Sequence, residues 1–158
     1  MIHSIIFGIL ILYLQIFKAG DLSFWGITPN FLIAFAAYIG AYQKEKWALP
    51  VVFFLSIGYD LMSPETLGMN TLLLLIICRI TKFLRKHIME PKVPTVSILS
   101  LIYNFFFYLI FGMFYSLQTE NSGFLFWIFL ISVVVNSLIS IIIFYVLLLL
   151  RHLRIKIE

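Results

Sequence analysis

Residues 124–150 read FLFWIFLISVVVNSLISIIIFYVLLLL, an apolar run without a charged side chain. A helix needs about 20 apolar residues to cross the hydrocarbon core of a bilayer, and this run is longer than that. Backbone N–H and C=O groups find no water in hydrocarbon, so a spanning segment must pair them internally, as a helix does. The run therefore predicts a transmembrane helix.

Five further apolar runs precede this one and share its character. Their lengths, without strict alternation of apolar and polar residues, argue against membrane-spanning strands. Together the runs predict a single all-α integral membrane domain over residues 1–158, a polytopic bundle of six transmembrane helices. The predicted spans cover residues 2–17, 31–42, 47–62, 67–80, 95–117 and 124–150.

The composition of the chain supports this class. Hydrophobic residues make up 63% and charged residues 11%, whereas soluble domains have about 45–50% and about 25%. A chain of 158 residues has too little interior to bury so much apolar surface. The net charge of +4 does not indicate a nucleic-acid partner, because the basic residues fall in a few short clusters, as in membrane proteins.

The distribution of Lys and Arg predicts the orientation of the chain. With six spans, ten of the eleven basic residues lie on the side of the two termini, and only Lys18 lies on the other. Basic residues concentrate on the cytoplasmic side of membrane proteins. We therefore expect both termini to be cytoplasmic.

A basic loop is predicted between the fourth and fifth spans. Such a cluster sets topology and contacts anionic lipid headgroups; the alternative is that it docks a cytoplasmic protein. Its cationic residues are Arg79, Lys82, Arg85, Lys86 and Lys92.

Asp60, at the end of the third run, is the most informative ionisable residue. Ionisable groups at membrane depth are costly and are functional candidates. The structural alternative is that Asp60 accepts hydrogen bonds from the free N–H groups that start the next helix, around residues 65–67. Gly68 is then expected to permit close helix approach, and Asn70 to supply an interhelical amide.

Two turns with a proline are expected to start helices. Thr28 is the predicted N-cap of the second helix, with Pro29 at its first position. Ser63 and Pro64 have the same order before the fourth helix. A hydroxyl at the N-cap binds free N–H groups, and proline suits the first position because it has no N–H.

The two long spans each carry an asparagine near the middle, Asn104 and Asn136. Buried amides need partners, so we expect them to bond to each other or to helix backbones. The alternative is that they line a pore or a ligand site. The second helix carries small residues at a spacing of four, Ala36 with Gly40 and Ala37 with Ala41, a pattern typical of close helix packing.

The sequence contains no catalytic or metal-binding constellation that we can identify. Its three histidines have no second ligand at helical spacing. It has no nucleophile elbow, phosphate-binding loop or paired carboxylates. We therefore expect no enzymatic activity, no cofactor and no bound metal.

Several motifs follow one another along the chain: Pro29-Asn30, Gly58-Tyr59-Asp60, Ser63-Pro64-x-x-Leu67-Gly68-x-Asn70 and Arg79 at a helix end. Their order resembles the bacterial rod shape-determining protein family MreD. The resemblance covers nearly the whole chain, but its specific part is residues 29–79. The last two helices match only in hydropathy and in a mid-helix asparagine.

The resemblance implies a non-enzymatic scaffold of the cell-elongation complex in the bacterial cytoplasmic membrane. Such proteins bind the bitopic protein MreC and help to control cell shape and peptidoglycan synthesis. Together they link the cytoplasmic MreB filament to the RodA glycosyltransferase and its penicillin-binding transpeptidase. The matching residues are then expected to bind the partner or to hold the fold.

The MreD family also resembles the S components of energy-coupling-factor vitamin transporters in fold, which supplies an alternative function. Those proteins typically use an Ala-x-x-x-Ala pair on the first helix, whereas the first run here has no alanine before Ala19. A vitamin site needs convergent polar groups. Asn30, Asp60 and Asn70 are the obvious ones in this sequence.

Overall fold

The computed structural model describes residues 2–23, 27–62, 68–87, 93–118 and 125–155. In these residues the fold is all-helical, as predicted. The six helices are α1 (Ile2–Phe17), α2 (Phe31–Tyr42), α3 (Glu45–Asp60), α4 (Met69–His87), α5 (Val93–Gln118) and α6 (Leu125–Ile155).

The helix α4 departs most from the prediction, because it continues to His87. Lys82 and its basic neighbours therefore lie on a helix, and the prediction that they form a loop is wrong. Two effects extend the helix: Cys78 and Thr81 are buried at helical spacing, and Lys and Arg are good helix formers. The basic residues on α4 are Arg79, Lys82, Arg85 and Lys86. Lys92 lies outside the described residues.

Among the residues that the structure describes, two helices are long and apolar enough to cross a membrane. The qualifying segments are Thr95–Met113 of α5 and Trp127–Leu150 of α6, of which only 28% and 33% are buried. Their outward faces are apolar, with side chains such as Ile98 and Ile142 each 61% exposed. Exposed apolar faces of this extent mark contact with a membrane or a partner. This pair of helices indicates membrane association.

The short helix α2 is the core of the bundle. Residues 31–41 are all buried, and α2 contacts each of the other five helices. Gly40 lies directly against α4, since an added Cβ would come within 2.5 Å of the carbonyl oxygen of Cys78. Ala36 and Ala37 are also buried, so the small side chains of α2 lie in helix contacts.

Side-chain contacts define the directions of the helices. Asp60 joins the end of α3 to the start of α4, so these two helices are antiparallel. At the other end of α4, the Lys82 ammonium donates to the carbonyl oxygen of Gln43, directly after α2. Thus α2 and α4 run in the same direction, and the end of each lies far from Asp60.

Candidate functional site

Asp60 lies at the end of α3 and is completely buried. Its carboxylate accepts four hydrogen bonds from residues at the start of α4. Oδ1 accepts from the Asn70 amide at 2.8 Å. Oδ2 accepts from the backbone N–H groups of Gly68 (3.1 Å) and Thr71 (2.9 Å) and from the Thr71 hydroxyl (2.6 Å). We call these four residues the Asp60 junction.

The charge of the Asp60 junction suits the helix that it caps. A helix begins with N–H groups that have no intrahelical partner and with the positive end of the helix dipole. Asp60 supplies a carboxylate to the start of α4 from another helix. Because internal donors occupy both carboxylate oxygens, the arrangement is suited to holding α3 against α4.

Part of the predicted Asp60 site lies outside the described residues. This holds for Ser63, Pro64 and Leu67, and for residues 65–67 as hydrogen-bond donors. The donors that the structure describes lie a few residues later, at Gly68, Asn70 and Thr71. Asn70 supplies the expected interhelical amide.

Gly68 has a different role from the predicted one. Its φ of +85° is in the left-handed region, which glycine adopts without steric cost. A Cβ added there would meet no atom within 4 Å. Close helix approach is therefore not the reason for this glycine. The turn that brings its N–H to Asp60 requires the left-handed backbone.

A second polar cluster holds the start of α2. The Asn136 Oδ1 atom on α6 accepts from the backbone N–H of Asn30 at 2.6 Å, and Gln15 Oε1 on α1 accepts from that of Phe31 at 2.7 Å. Gln15 Nε2 also donates to the carbonyl oxygen of Pro29 at 3.0 Å. We call Gln15, Asn30 and Asn136 the α2 clamp. It satisfies backbone groups that are buried in the core.

The predicted N-cap of α2 is wrong by two residues. Asn30 is the cap, and its side chain accepts from the N–H of Leu32 at 3.2 Å. Thr28 is exposed, and Pro29 lies before the cap. Asparagine caps at least as well as threonine, and the backbone N–H of Asn30 also donates to Asn136 Oδ1. Sequence reasoning missed Gln15, for which a lone amide in an apolar run was the available signal.

The two mid-helix asparagines are completely buried and both donate to their own helix backbone. Asn104 Nδ2 donates to the carbonyl oxygen of Ser100 (2.7 Å) and to the Ser140 hydroxyl (3.1 Å), which links α5 to α6. Asn136 Nδ2 donates to the carbonyl oxygen of Ser132 at 3.1 Å. Of the two predicted kinds of partner, the helix backbone is the one observed. Asn136 additionally joins α6 to α2.

The basic end of α4 packs against the end of α2. Besides the contact of Lys82 with Gln43, the Arg85 guanidinium lies 4.6 Å from the ring centroid of Tyr42. Cations over aromatic rings interact favourably. These two contacts join α4 to the end of α2. The side chains of Arg79, Arg85 and Lys86 are exposed on α4.

The described residues contain no group of three or more His, Cys, Asp or Glu side chains that could hold a metal ion. Comparison of the chain with known protein families, with curated proteins and with solved structures finds no match.

Proposed function

We propose that this chain is a multi-pass protein of the bacterial cytoplasmic membrane that acts as a non-enzymatic scaffold of the cell-elongation complex. Its main partner is MreC. Through MreC it joins the RodA glycosyltransferase and its penicillin-binding transpeptidase to the MreB filament, which it contacts indirectly or through its cytoplasmic basic residues. The proposal combines the sequence resemblance to MreD with the way in which the buried polar groups are used.

The observation that carries the proposal is the internal pairing of the buried polar side chains. Among the described residues, Asn104 Oδ1 and the Tyr145 hydroxyl are the fully buried side-chain polar atoms without a hydrogen-bond partner. The carboxylate and most of the amides join one helix to another. Buried groups with satisfied partners make a rigid, specific core. This use of polar groups favours a protein that presents a fixed surface over one that performs chemistry in its interior.

The charges of the helix ends support the membrane location. α3 is antiparallel to α4, and α2 runs parallel to α4, which is the order that alternating membrane crossings require. Lys82 and Lys86 lie near the end of α4, away from Asp60. Lys44 directly precedes α3 and therefore lies at the same end. The positive-inside rule assigns this end to the cytoplasm and the Asp60 junction to the outer side.

The polar groups that the vitamin-transporter alternative requires are already occupied. Asp60 and Asn70 bond to each other at 2.8 Å. The Asn30 side chain caps α2, and its backbone N–H donates to Asn136. A vitamin at these residues would have to displace intramolecular hydrogen bonds, which disfavours the alternative.

Co-purification with MreC from a mild detergent tests the proposal. We expect the tagged chain to recover MreC, with RodA and the transpeptidase in the same fraction. The Asp60→Ala and Gly68→Ala variants should lose MreC capture to a greater extent than they lose membrane insertion, because the Asp60 junction shapes the outward end of α3 and α4. Gly20→Ala is the matched control, since a Cβ at residue 20 meets no atom within 4 Å.

Two results would contradict the proposal. The first is recovery of the wild-type chain from membranes that contain MreC, without any MreC. The second is tight, stoichiometric binding of a vitamin by the purified protein, which would establish the transporter alternative.

A further inference from the structure

An open apolar groove runs between α3 and α4 on the outside of the bundle. It is shallow and largely open, with a volume of about 600 Å³. Two phenylalanines form much of its wall, with Phe54 exposed by 70% and Phe53 by 40%. The apolar lining consists of Leu49, Pro50, Phe53 and Phe54 from α3 and Leu75 and Ile76 from α4. This shape and lining suit a long hydrocarbon chain.

Arg79 is the charged residue in the groove lining. It is exposed and lies nearer than Leu75 and Ile76 to the basic end of α4. The groove therefore changes along its length from apolar walls to a guanidinium group. A guanidinium binds phosphate oxygens through two parallel hydrogen bonds.

Two exposed lysines extend this positive end. Lys46 precedes Pro50 by four residues and Phe53 by seven, so it lies on the groove side of α3. Lys86 follows Arg79 by seven residues and shares its side of α4. Because the two helices are antiparallel, both lysines lie at the same end of the groove.

An aromatic residue marks the depth of this end. Trp47, directly after Lys46, is 40% exposed, and the Lys46 ammonium lies 5.8 Å from the centroid of its ring. Tryptophan and lysine in this combination are typical of the boundary between hydrocarbon and headgroups. The cations are therefore placed where the phosphate of a membrane lipid lies.

We propose that this α3–α4 groove binds an anionic phospholipid of the cytoplasmic leaflet. One acyl chain lies along the phenylalanine wall, and Arg79 binds the phosphate, with Lys46 and Lys86 attracting the remaining negative charge. A single helix of another protein is the competing occupant of the apolar part, but it has no need of the Arg79 guanidinium, which suits a phosphate. The inference rests on the membrane location proposed above and goes beyond the scaffold role.

Quenching of Trp47 fluorescence by brominated lipids tests the site. Trp47 precedes Pro50 by three residues and Phe54 by seven, so it reports on the groove. The full chain with Trp25→Phe and Trp127→Phe is reconstituted in phosphatidylcholine vesicles that contain a minor fraction of phosphatidylglycerol. Bromine is placed on the acyl chains of one lipid or of the other.

We expect brominated phosphatidylglycerol to quench Trp47 as if its local fraction were about fivefold above its bulk fraction. In the matched protein whose sole tryptophan is Trp127, quenching by brominated phosphatidylglycerol should correspond to the bulk fraction of this lipid. Arg79→Gln should abolish the preference at Trp47, and Arg79→Lys should keep most of it. Arg85→Gln should leave it unchanged, because Arg85 packs on Tyr42.

The possible failures of this experiment are distinguishable. If each lipid quenches Trp47 in proportion to its bulk fraction, the lipid site is wrong. The same holds if the preference for phosphatidylglycerol survives Arg79→Gln. Both results leave the scaffold proposal intact. Absence of quenching by either lipid would overturn the membrane location, and the groove proposal with it. If Arg79→Gln removes a protein partner while the lipids stay unselective, the groove belongs to that protein and the lipid proposal is wrong.

Discussion

The Asp60 junction and the α2 clamp solve the same problem with different chemistry. Each supplies side-chain oxygens to N–H groups at the buried start of a helix. At the junction, one carboxylate accepts hydrogen bonds from residues that lie eight to eleven positions further along the chain. At the clamp, neutral amides come from other helices, and the Asn30–Asn136 bond spans 106 residues of sequence. The junction is local and charged, whereas the clamp is long-range and neutral.

This difference determines how each cluster responds to mutation. Removal of Asp60 deprives four donors of one shared acceptor. Removal of either distal amide of the α2 clamp deprives one N–H group of its acceptor. A buried donor without an acceptor costs about 1–3 kcal/mol, so the junction should be the more sensitive of the two.

The largest effect is expected for Asp60→Ala. It leaves the N–H groups of Gly68 and Thr71 without their acceptor, and we expect the free energy of unfolding to fall by about 3–5 kcal/mol. Asp21→Ala is the control, because the Lys18–Asp21 ion pair is exposed and should contribute less than about 1 kcal/mol. Denaturant titration in detergent micelles measures both. Equal effects of the two substitutions would show that Asp60 has no structural role.

The next largest effect is expected when leucine replaces one of the two buried asparagines. Asn136→Leu leaves the Asn30 N–H without an acceptor in the core and should cost about 1–3 kcal/mol. Asn104→Leu should cost less than about 1 kcal/mol, because the Asn104 Oδ1 atom already lacks a partner and single interhelical hydrogen bonds contribute little in membranes. The same titration decides the order. A larger loss for Asn104→Leu would show that the α2 clamp is not the dominant contact of α6.

A smaller contrast tests the cap of α2. Asn30→Ala removes the acceptor of the Leu32 N–H and should cost about 0.5–2 kcal/mol. Thr28→Ala changes an exposed side chain and should stay within about 0.5 kcal/mol of wild type. Thermal unfolding of both variants, followed by circular dichroism, tells them apart. The reverse order would restore Thr28 as the cap.

The smallest effect is expected at the glycine of the Asp60 junction. Gly68→Ala places a Cβ on a left-handed residue without a clash, so the backbone strain alone should cost about 1 kcal/mol. Gly112→Ala, inside α5 and also without a clash, should be neutral or stabilising by up to about 1 kcal/mol, because alanine favours helices. The opposite signs should appear in the midpoints of thermal unfolding. A stabilising Gly68→Ala would contradict the left-handed turn.

The sequence predicts the helices well because apolar runs and their polar breaks are local features. The first two predicted spans coincide with α1 (Ile2–Phe17) and α2 (Phe31–Tyr42). The extension of α4 to His87 was missed because burial of Thr81 against its neighbours, which carries the helix onward, is a tertiary contact.

The candidate site also has a part that the sequence predicts and a part that it does not. Asp60 could be recognised as a bridge to the next helix because its partners follow closely in sequence. The α2 clamp could not be predicted, since no local signal pairs Gln15 and Asn136 with the same helix start. The partner helices have to be assembled before those amides meet.

The membrane topology is the most direct test of the account, because the scaffold proposal and the lipid-site proposal both depend on which helix ends face the cytoplasm. Single cysteines are introduced at the exposed residues Asp21, Met62, Lys44 and Lys86, with the native Cys78 replaced by alanine. A membrane-impermeant maleimide should label residues 21 and 62 in intact cells, and residues 44 and 86 only after permeabilisation. Labelling of residues 62 and 86 from the same side would contradict the account.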